Sequence, residues 1–217
     1  MKITLSYQPQ LLSPPYAYAA VLKFDSSGDQ IKTEFEIVYL NRDLISIDAV
    51  KSEGFTENDD YSWKGDFNPN WKKDIESFAR LKSMEDPDAE IYLHISVNDS
   101  ELGFPKEIKK ADKLFQELMQ AIVERDQLEL PLQLDLKLDG QAVQIKWKFW
   151  ERMVLVNDNQ SIDWEAGRNM MELIYSINFE SIKPSKKSVN NCVNLEGVWY
   201  SIKDNVAQTL IGQMAKL

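Results

Sequence analysis

The sequence predicts an α+β fold. A mainly antiparallel sheet is built around two β-hairpins, residues 16–40 and 130–150, and three to four helices pack on one face. Three features lead there. Asp139-Gly140 lies between two alternating runs, and Asp-Gly is a strong signal for a two-residue type I′ turn, in which both residues need positive φ. Residues 16–40 alternate in the same way about a Ser/Gly/Asp loop. Stretches with apolar residues every three or four positions then recur between the strand candidates.

The elements follow in chain order. Residues 2–7 form a short strand, and Ser13, Pro14 and Pro15 break it. In the first hairpin, joined by Ser26-Ser27-Gly28-Asp29, Phe24 faces Ile31, Leu22 Thr33, Ala20 Phe35, Tyr18 Ile37 and Tyr16 Tyr39. Asp43 caps a short helix that ends at Gly54, and residues 57–60 make an acidic turn. Residues 61–66 are a strand. Asn68-Pro69 reads as the N-cap and first position of a helix to about Met84, with Trp71, Ile75, Phe78 and Leu81 inward, and residues 85–88 end it.

Residues 90–97 alternate, with Ile91, Leu93, Ile95 and Val97 inward and Tyr92, His94 and Ser96 outward. Pro105 opens the strongest helix, to about Asp126, with Ile108, Ala111, Phe115, Leu118, Ile122 and Arg125 on its inner stripe. The second hairpin sets Leu138 against Gln141, Leu136 against Val143, Leu134 against Ile145, Leu132 against Trp147 and Leu130 against Phe149. Ser161 or Asp163 caps a helix to about Ile177, although residues 171–179 also alternate as a strand would. Residues 182–191 are a basic, polar loop and residues 193–202 a strand. Asp204 caps a last helix ending at Leu217. The 217 residues are expected to form a single domain. The alternative is two similar halves, 1–127 and 128–217, because the order hairpin, helix, strand, helix occurs twice.

Composition bounds the function. A hydrophobic content of 43% with 28% charged residues is that of a globular chain. The net charge of −10 disfavours nucleic acid and anionic membranes and suits a basic protein partner. Cys192 is the only cysteine, so no intramolecular disulfide forms, and a reducing, cytoplasmic home is expected. No continuous apolar leader and no run of about 18 apolar residues is present, so no membrane association is expected. The sequons at Asn98 and Asn159 carry no meaning without secretion.

The eight glycines are isolated, which removes both the dinucleotide fingerprint and the P-loop. One histidine and one cysteine cannot build a His/Cys zinc site or a two-histidine iron site. Residues 57–60 and 157–160 are rich in oxygen donors. Neither has the glycine at the sixth position together with the glutamate at the twelfth that a calcium loop of the EF-hand type needs. No metal and no cofactor is expected.

Few residues remain as candidates. His94 titrates near neutrality and is the one side chain able to serve a serine or cysteine nucleophile as its base; a hydrogen-bonded strand histidine is the plainer role. The 35 acidic residues allow carboxylate chemistry without pointing to it. Lys146, Lys148 and Trp150 place charge and an aromatic on one strand face, a binding arrangement; cover by a second layer is the plainer role. Lys106, Lys109, Lys110 and Lys113 line the polar side of the long helix, where solvation explains them. Of the six tryptophans, Trp71, Trp147 and Trp164 fall on inward faces. The function expected from these features is that of a soluble, intracellular, non-enzymatic binding or adaptor protein with a basic protein partner. The alternative is a small hydrolase or ligand-binding enzyme using carboxylates and His94.

Overall fold

The computed structural model describes residues 1–28, 30–84 and 86–215. Asp29, Glu85 and Leu217, which the sequence assigns to a loop, a helix end and the last helix, lie outside the described residues. The chain divides into two compact units, Met1–Met119 and Gln120–Leu217. The fold is α+β, with antiparallel sheets as the sequence predicts; the two hairpins lie in separate sheets, one of seven strands and one of six.

In the first unit the chain runs β1 (Lys2–Pro9), β2 (Tyr18–Asp25), β3 (Ile31–Tyr39), α1 (Ile47–Ser52), β4 (Tyr61–Phe67), α2 (Lys72–Ser77), β5 (Ser83–Met84), β6 (Ile91–Val97) and β7 (Ser100–Pro105). α3 (Ile108–Arg125) follows, and the boundary between the units falls within it. The strand order β4-β3-β2-β1-β6-β7-β5 puts the first strand in the middle. In the second unit come β8 (Leu132–Leu138), β9 (Gln141–Lys148), β10 (Met153–Val156), β11 (Gln160–Ile162), α4 (Trp164–Tyr175), β12 (Cys192–Leu195), β13 (Val198–Ser201) and α5 (Asp204–Met214). Their order, β11-β10-β9-β8-β12-β13, repeats that topology. Apart from α1 and the edge strand β5 of the first unit, each unit is a four-strand meander, a helix, then a hairpin that returns to pair with the meander's first strand, then a helix.

Strand alternation produces this arrangement. Ile3, Leu5 and Tyr7 of β1 are buried on the same face as Leu22, Phe24, Ile31, Phe35, Leu93 and Ile95 of its neighbours. Trp71, Ile75 and Phe78, around α2, and Phe115 and Leu118, on α3, are also fully buried. Tyr7 ties sheet to helix: its ring stacks on Phe115 at 4.3 Å and its hydroxyl donates to Asp112 Oδ1 at 2.7 Å. Burial and the Asp112 bond push the Tyr7 phenol far up, and burial lifts Tyr18 to about 12, so both stay neutral.

The Asp139-Gly140 turn forms as predicted, with φ of 47° and 80°. All pairs from Leu138↔Gln141 to Leu132↔Trp147 match the expected register. The strand ends there: Leu130 is 86% exposed and is not paired with Phe149. Asn191 holds the turn from outside. Its Oδ1 accepts from Asp139 N at 2.8 Å, and its Nδ2 donates to Asp204 Oδ1 at 2.8 Å at the start of α5. That use of Asp204 replaces the expected cap, so Lys203 stands at the cap position with no side-chain bond.

The first hairpin pairs two residues away from expectation, with Leu22↔Phe35, Ala20↔Ile37 and Tyr18↔Tyr39. Asp25 caps Ser27 N at 3.0 Å, and Ser26 N donates to Met1 O at 2.9 Å, which opens a wider loop. A shift of two keeps every side chain on its face, so the apolar pattern cannot tell the two registers apart.

Several boundaries move. Ser46, not Asp43, caps α1, and Gly54 ends it at φ 84° as expected. The helix from Asn68 stops at Arg80 because Ser83–Met84 pair with β7. Pro105 completes β7 rather than opening α3, and Arg125 is exposed. Asp163 caps α4, which is helical where strand alternation competed. The expected strand 193–202 is a hairpin turning at Glu196-Gly197, and β7, β10 and β11 were not anticipated. No helix among the described residues is long and apolar enough to cross a membrane.

α4 lies close to β10. A Cβ at Gly167 would stand 2.3 Å from Val154 Cγ2, while Trp147 Nε1 donates to Gly167 O at 2.9 Å. Gly167→Ala is expected to cost about 1–3 kcal/mol in urea unfolding. Combining it with Val154→Ala, which empties the contested space, should give less than the sum of the single losses.

Candidate functional site

The outward face of the first sheet is charged. Asp66, Lys32, Asp25 and Lys2 are register partners in one row, and Lys64, Glu34 and Lys23 in the next, so signs alternate both along and across the strands. Each such pair is worth roughly 0.2–1 kcal/mol. The hydrogen bond from Lys64 holds the Glu34 carboxyl below its ordinary range. A shallow concavity of ≈ 680 Å³ lies over Lys2, Lys23, Lys32, Glu34, Lys64 and Asp66. Its charges are largely satisfied by one another, so the face is stable in water and offers little net field to a ligand.

His94 lies on this face. Its Nε2 is 2.6 Å from Glu101 Oε2, and its ring meets the edge of Phe104 at 5.2 Å. The side chain is 18% exposed. Ser6 is its cross-strand partner, yet among the described residues no hydrogen bond joins His94 to a serine, threonine or cysteine. Among the described residues the histidine has a carboxylate beside it and no nucleophile bonded to it.

Lys146 and Lys148 share the outward face of β9, as the alternation predicts. Lys146 Nζ is 2.6 Å from Asp158 and Lys148 Nζ 3.5 Å from Glu151. Trp150 does not continue that face: β9 ends at Lys148, and Trp150 sits in the turn before β10. Glu124 accepts from Phe149 N at 2.9 Å and Trp150 N at 3.4 Å, and the Arg125 guanidinium lies 5.6 Å from the Trp150 ring. Burial lifts the Glu124 carboxyl above its ordinary range against those two bonds. Trp150 thus lies past the end of the strand that carries Lys146 and Lys148. Trp71, Trp147 and Trp164 are buried, as their inward positions require.

A different cluster, centred on Arg42, was not foreseen. Arg42 is 8% exposed. Its guanidinium carbon lies 3.9 Å from the Tyr39 ring centre and 4.7 Å from that of Phe55. Nε donates to Pro15 O at 3.2 Å; Nη1 donates to Thr56 O at 2.9 Å and to Asp59 Oδ2 at 2.5 Å. One side chain thus joins the β1–β2 connection, the end of β3 and the segment before β4. Tyr16 adds to this, its hydroxyl donating to Glu53 and its ring meeting Phe55 edge-on at 5.4 Å. Leu11, Leu12 and Tyr16 in the β1–β2 connection, and Leu44 and Ile47 in the segment that follows Arg42, are exposed.

The only sequence signal for it is compositional. Residues 41–60 hold six acids against Arg42 and Lys51. Charge is divided unequally as a whole: residues 1–119 hold 22 acidic and 14 basic residues, a net −8, and residues 120–217 hold 13 and 11, a net −2.

No protein-family model, no curated protein and no solved structure matches this chain.

Burial alone would raise the Asp59 carboxyl, but the bonds from Thr56 and Arg42 outweigh it and hold it below its ordinary value of 3.8. Stability from a carboxyl so lowered is present above 3.8 and is lost as pH falls through the folded value. Asp59→Asn is expected to lose about 1.5–3 kcal/mol in urea unfolding at neutral pH, where a bond to a charged partner goes. The gap to the parent chain should begin to narrow below about pH 4, where the unfolded chain's carboxyl protonates, and close only below the lowered folded value.

Proposed function

We propose that the chain is a non-enzymatic binding or adaptor protein, resident in the cytoplasm, that engages a basic protein partner through its first unit. The observation that carries this reading is the concentration of charge: a net −8 in residues 1–119 against −2 in the remainder. Fields of one sign steer partners of the opposite sign and repel nucleic acid and anionic lipid. Cys192, the single cysteine, is buried and free, in keeping with a reducing compartment.

The test is capture of partners from source lysate on immobilised full-length chain, followed by native mass spectrometry. The expected result is a stoichiometric basic protein that is released as salt is raised. Retention of a small molecule alone, or of a protein indifferent to salt, contradicts the reading.

A second reading, a small hydrolase or ligand-binding enzyme using carboxylates and His94, is favoured by one contact, the 2.6 Å pairing of His94 with Glu101. It requires that a turnover detected on ester, phosphoester or glycoside substrates be lost in His94→Ala while the unfolding midpoint stays near that of the parent chain. A turnover that survives in His94→Ala ends this reading.

A further inference from the structure

Every large apolar side chain of the first unit that is exposed, among the described residues, belongs to one of two neighbouring stretches. Leu11, Leu12 and Tyr16 lie in the β1–β2 connection, and Val38, Leu44 and Ile47 lie from the end of β3 into α1. The stretches are joined. Arg42 Nε donates to Pro15 O at 3.2 Å, Leu40 N donates to Ala17 O at 2.8 Å, and Tyr16 bonds Glu53 just past α1. Scattered exposed leucines need no explanation, but a set confined to two stretches that are bonded to each other does.

The charge beside these side chains decides what can cover them. Asp43, Asp48, Glu53 and Glu57 are all exposed in the same segment, and Lys51 is the only exposed cation there. Arg42 is buried and committed to Asp59. A second copy docking the same surface about a two-fold axis would bring acid against acid. An anionic membrane would be repelled in the same way. A segment with apolar residues on one side and lysine or arginine at its margins satisfies both halves of the surface.

We infer that this apolar, acid-rimmed surface is the seat of an amphipathic basic segment of a partner protein, laid on Leu11, Leu12, Leu44 and Ile47 with its cations toward Asp43, Asp48 and Glu57. The inference rests on the basic-partner reading above and narrows it to one place and one kind of ligand. Apolar burial supplies the affinity, and the acidic rim supplies the attraction at a distance and the orientation.

The test uses the full chain with two probes, an amphipathic helical Leu/Lys peptide and a scrambled peptide of the same composition, titrated by calorimetry. The amphipathic peptide is expected to bind more tightly than the scrambled one. Leu44→Ser with Ile47→Ser, both at exposed positions, should weaken that binding by more than about tenfold. Asp43→Asn with Asp48→Asn and Glu57→Gln should weaken it about two- to fivefold at low salt and less as salt rises. Unchanged unfolding midpoints in urea keep folding out of the comparison. If both peptides bind alike and no variant changes either, the basic-partner reading survives and this seat is wrong. If neither peptide binds, both fall. Self-association in sedimentation that Leu44→Ser with Ile47→Ser abolishes would assign the surface to a second copy and overturn the inference.

Discussion

The first sheet buries its apolar side chains on one face and carries its charges on the other, and most of what the first unit does follows from that constraint. Alternation sends Ile3, Leu5 and Tyr7 to the face they share with the inward side chains of β2 and β6, and leaves Lys2, Thr4 and Ser6 outside. A strand in the middle of a sheet must satisfy its backbone on both sides, and β1 does so by pairing with β2 along one edge and β6 along the other. β8 has the same position in the second sheet, between β9 and β12. The return of the late hairpin to the first strand closes each unit around its own beginning. It also brings His94 beside Ser6, residues distant in sequence, on the one face left to solvent.

That solvent face is polar at little cost because its charges alternate. Lysines 2, 23, 32 and 64 each have a carboxylate across the ladder, so the face tolerates exposure without projecting a strong field. The unbalanced charge of the unit therefore lies elsewhere, and residues 41–60 contribute a net −4 of it, with six acids against two bases. Here the support is not an apolar core but a buried cation. The flat guanidinium of Arg42 accepts aromatic rings against it while its edges reach Pro15 O, Thr56 O and Asp59. A lysine at that position offers no planar face and no fork, so it could not join the same three stretches of chain.

What was legible in the sequence was whatever a short-range period or a strong turn dipeptide encodes. Asp139-Gly140 specified the register of β8 and β9 because turn and pattern agreed. Ser26–Asp29 has no such dipeptide, so the face of β2 was legible and its register was not. Glu196-Gly197 turns with the same pair of positive φ values, but glutamate is a weak signal for that conformation, and one long strand was read where two short ones stand. Helix and strand competed over residues 171–179, and the Asp163 cap, bonding Glu165 N and Ala166 N, goes with the helix. His94 fell on the face expected of it. Trp150 lies past the end of its strand, where Glu124 accepts from the backbone and the chain turns. The Arg42 knot joins positions 15, 39, 42, 55 and 59 by bonds of no fixed period, so only three-dimensional contact reveals it.

The exposed leucines and the buried arginine belong to one arrangement. Apolar side chains on short connections ordinarily collapse into whatever core lies beneath them, since burial is worth roughly 25 cal/mol per Å². The interior of this segment is already occupied by Val50 of α1 and by Arg42 with its two aromatic rings and its bonded carboxylate. Drawing a leucine into that space would displace the partners of a buried cation, and an unpaired buried charge costs more than a leucine gains. The ionic knot thus holds the apolar side chains at the surface, where a partner can reach them. Without a complementary segment those side chains stay in water. With one, the apolar contact and the acidic rim act together.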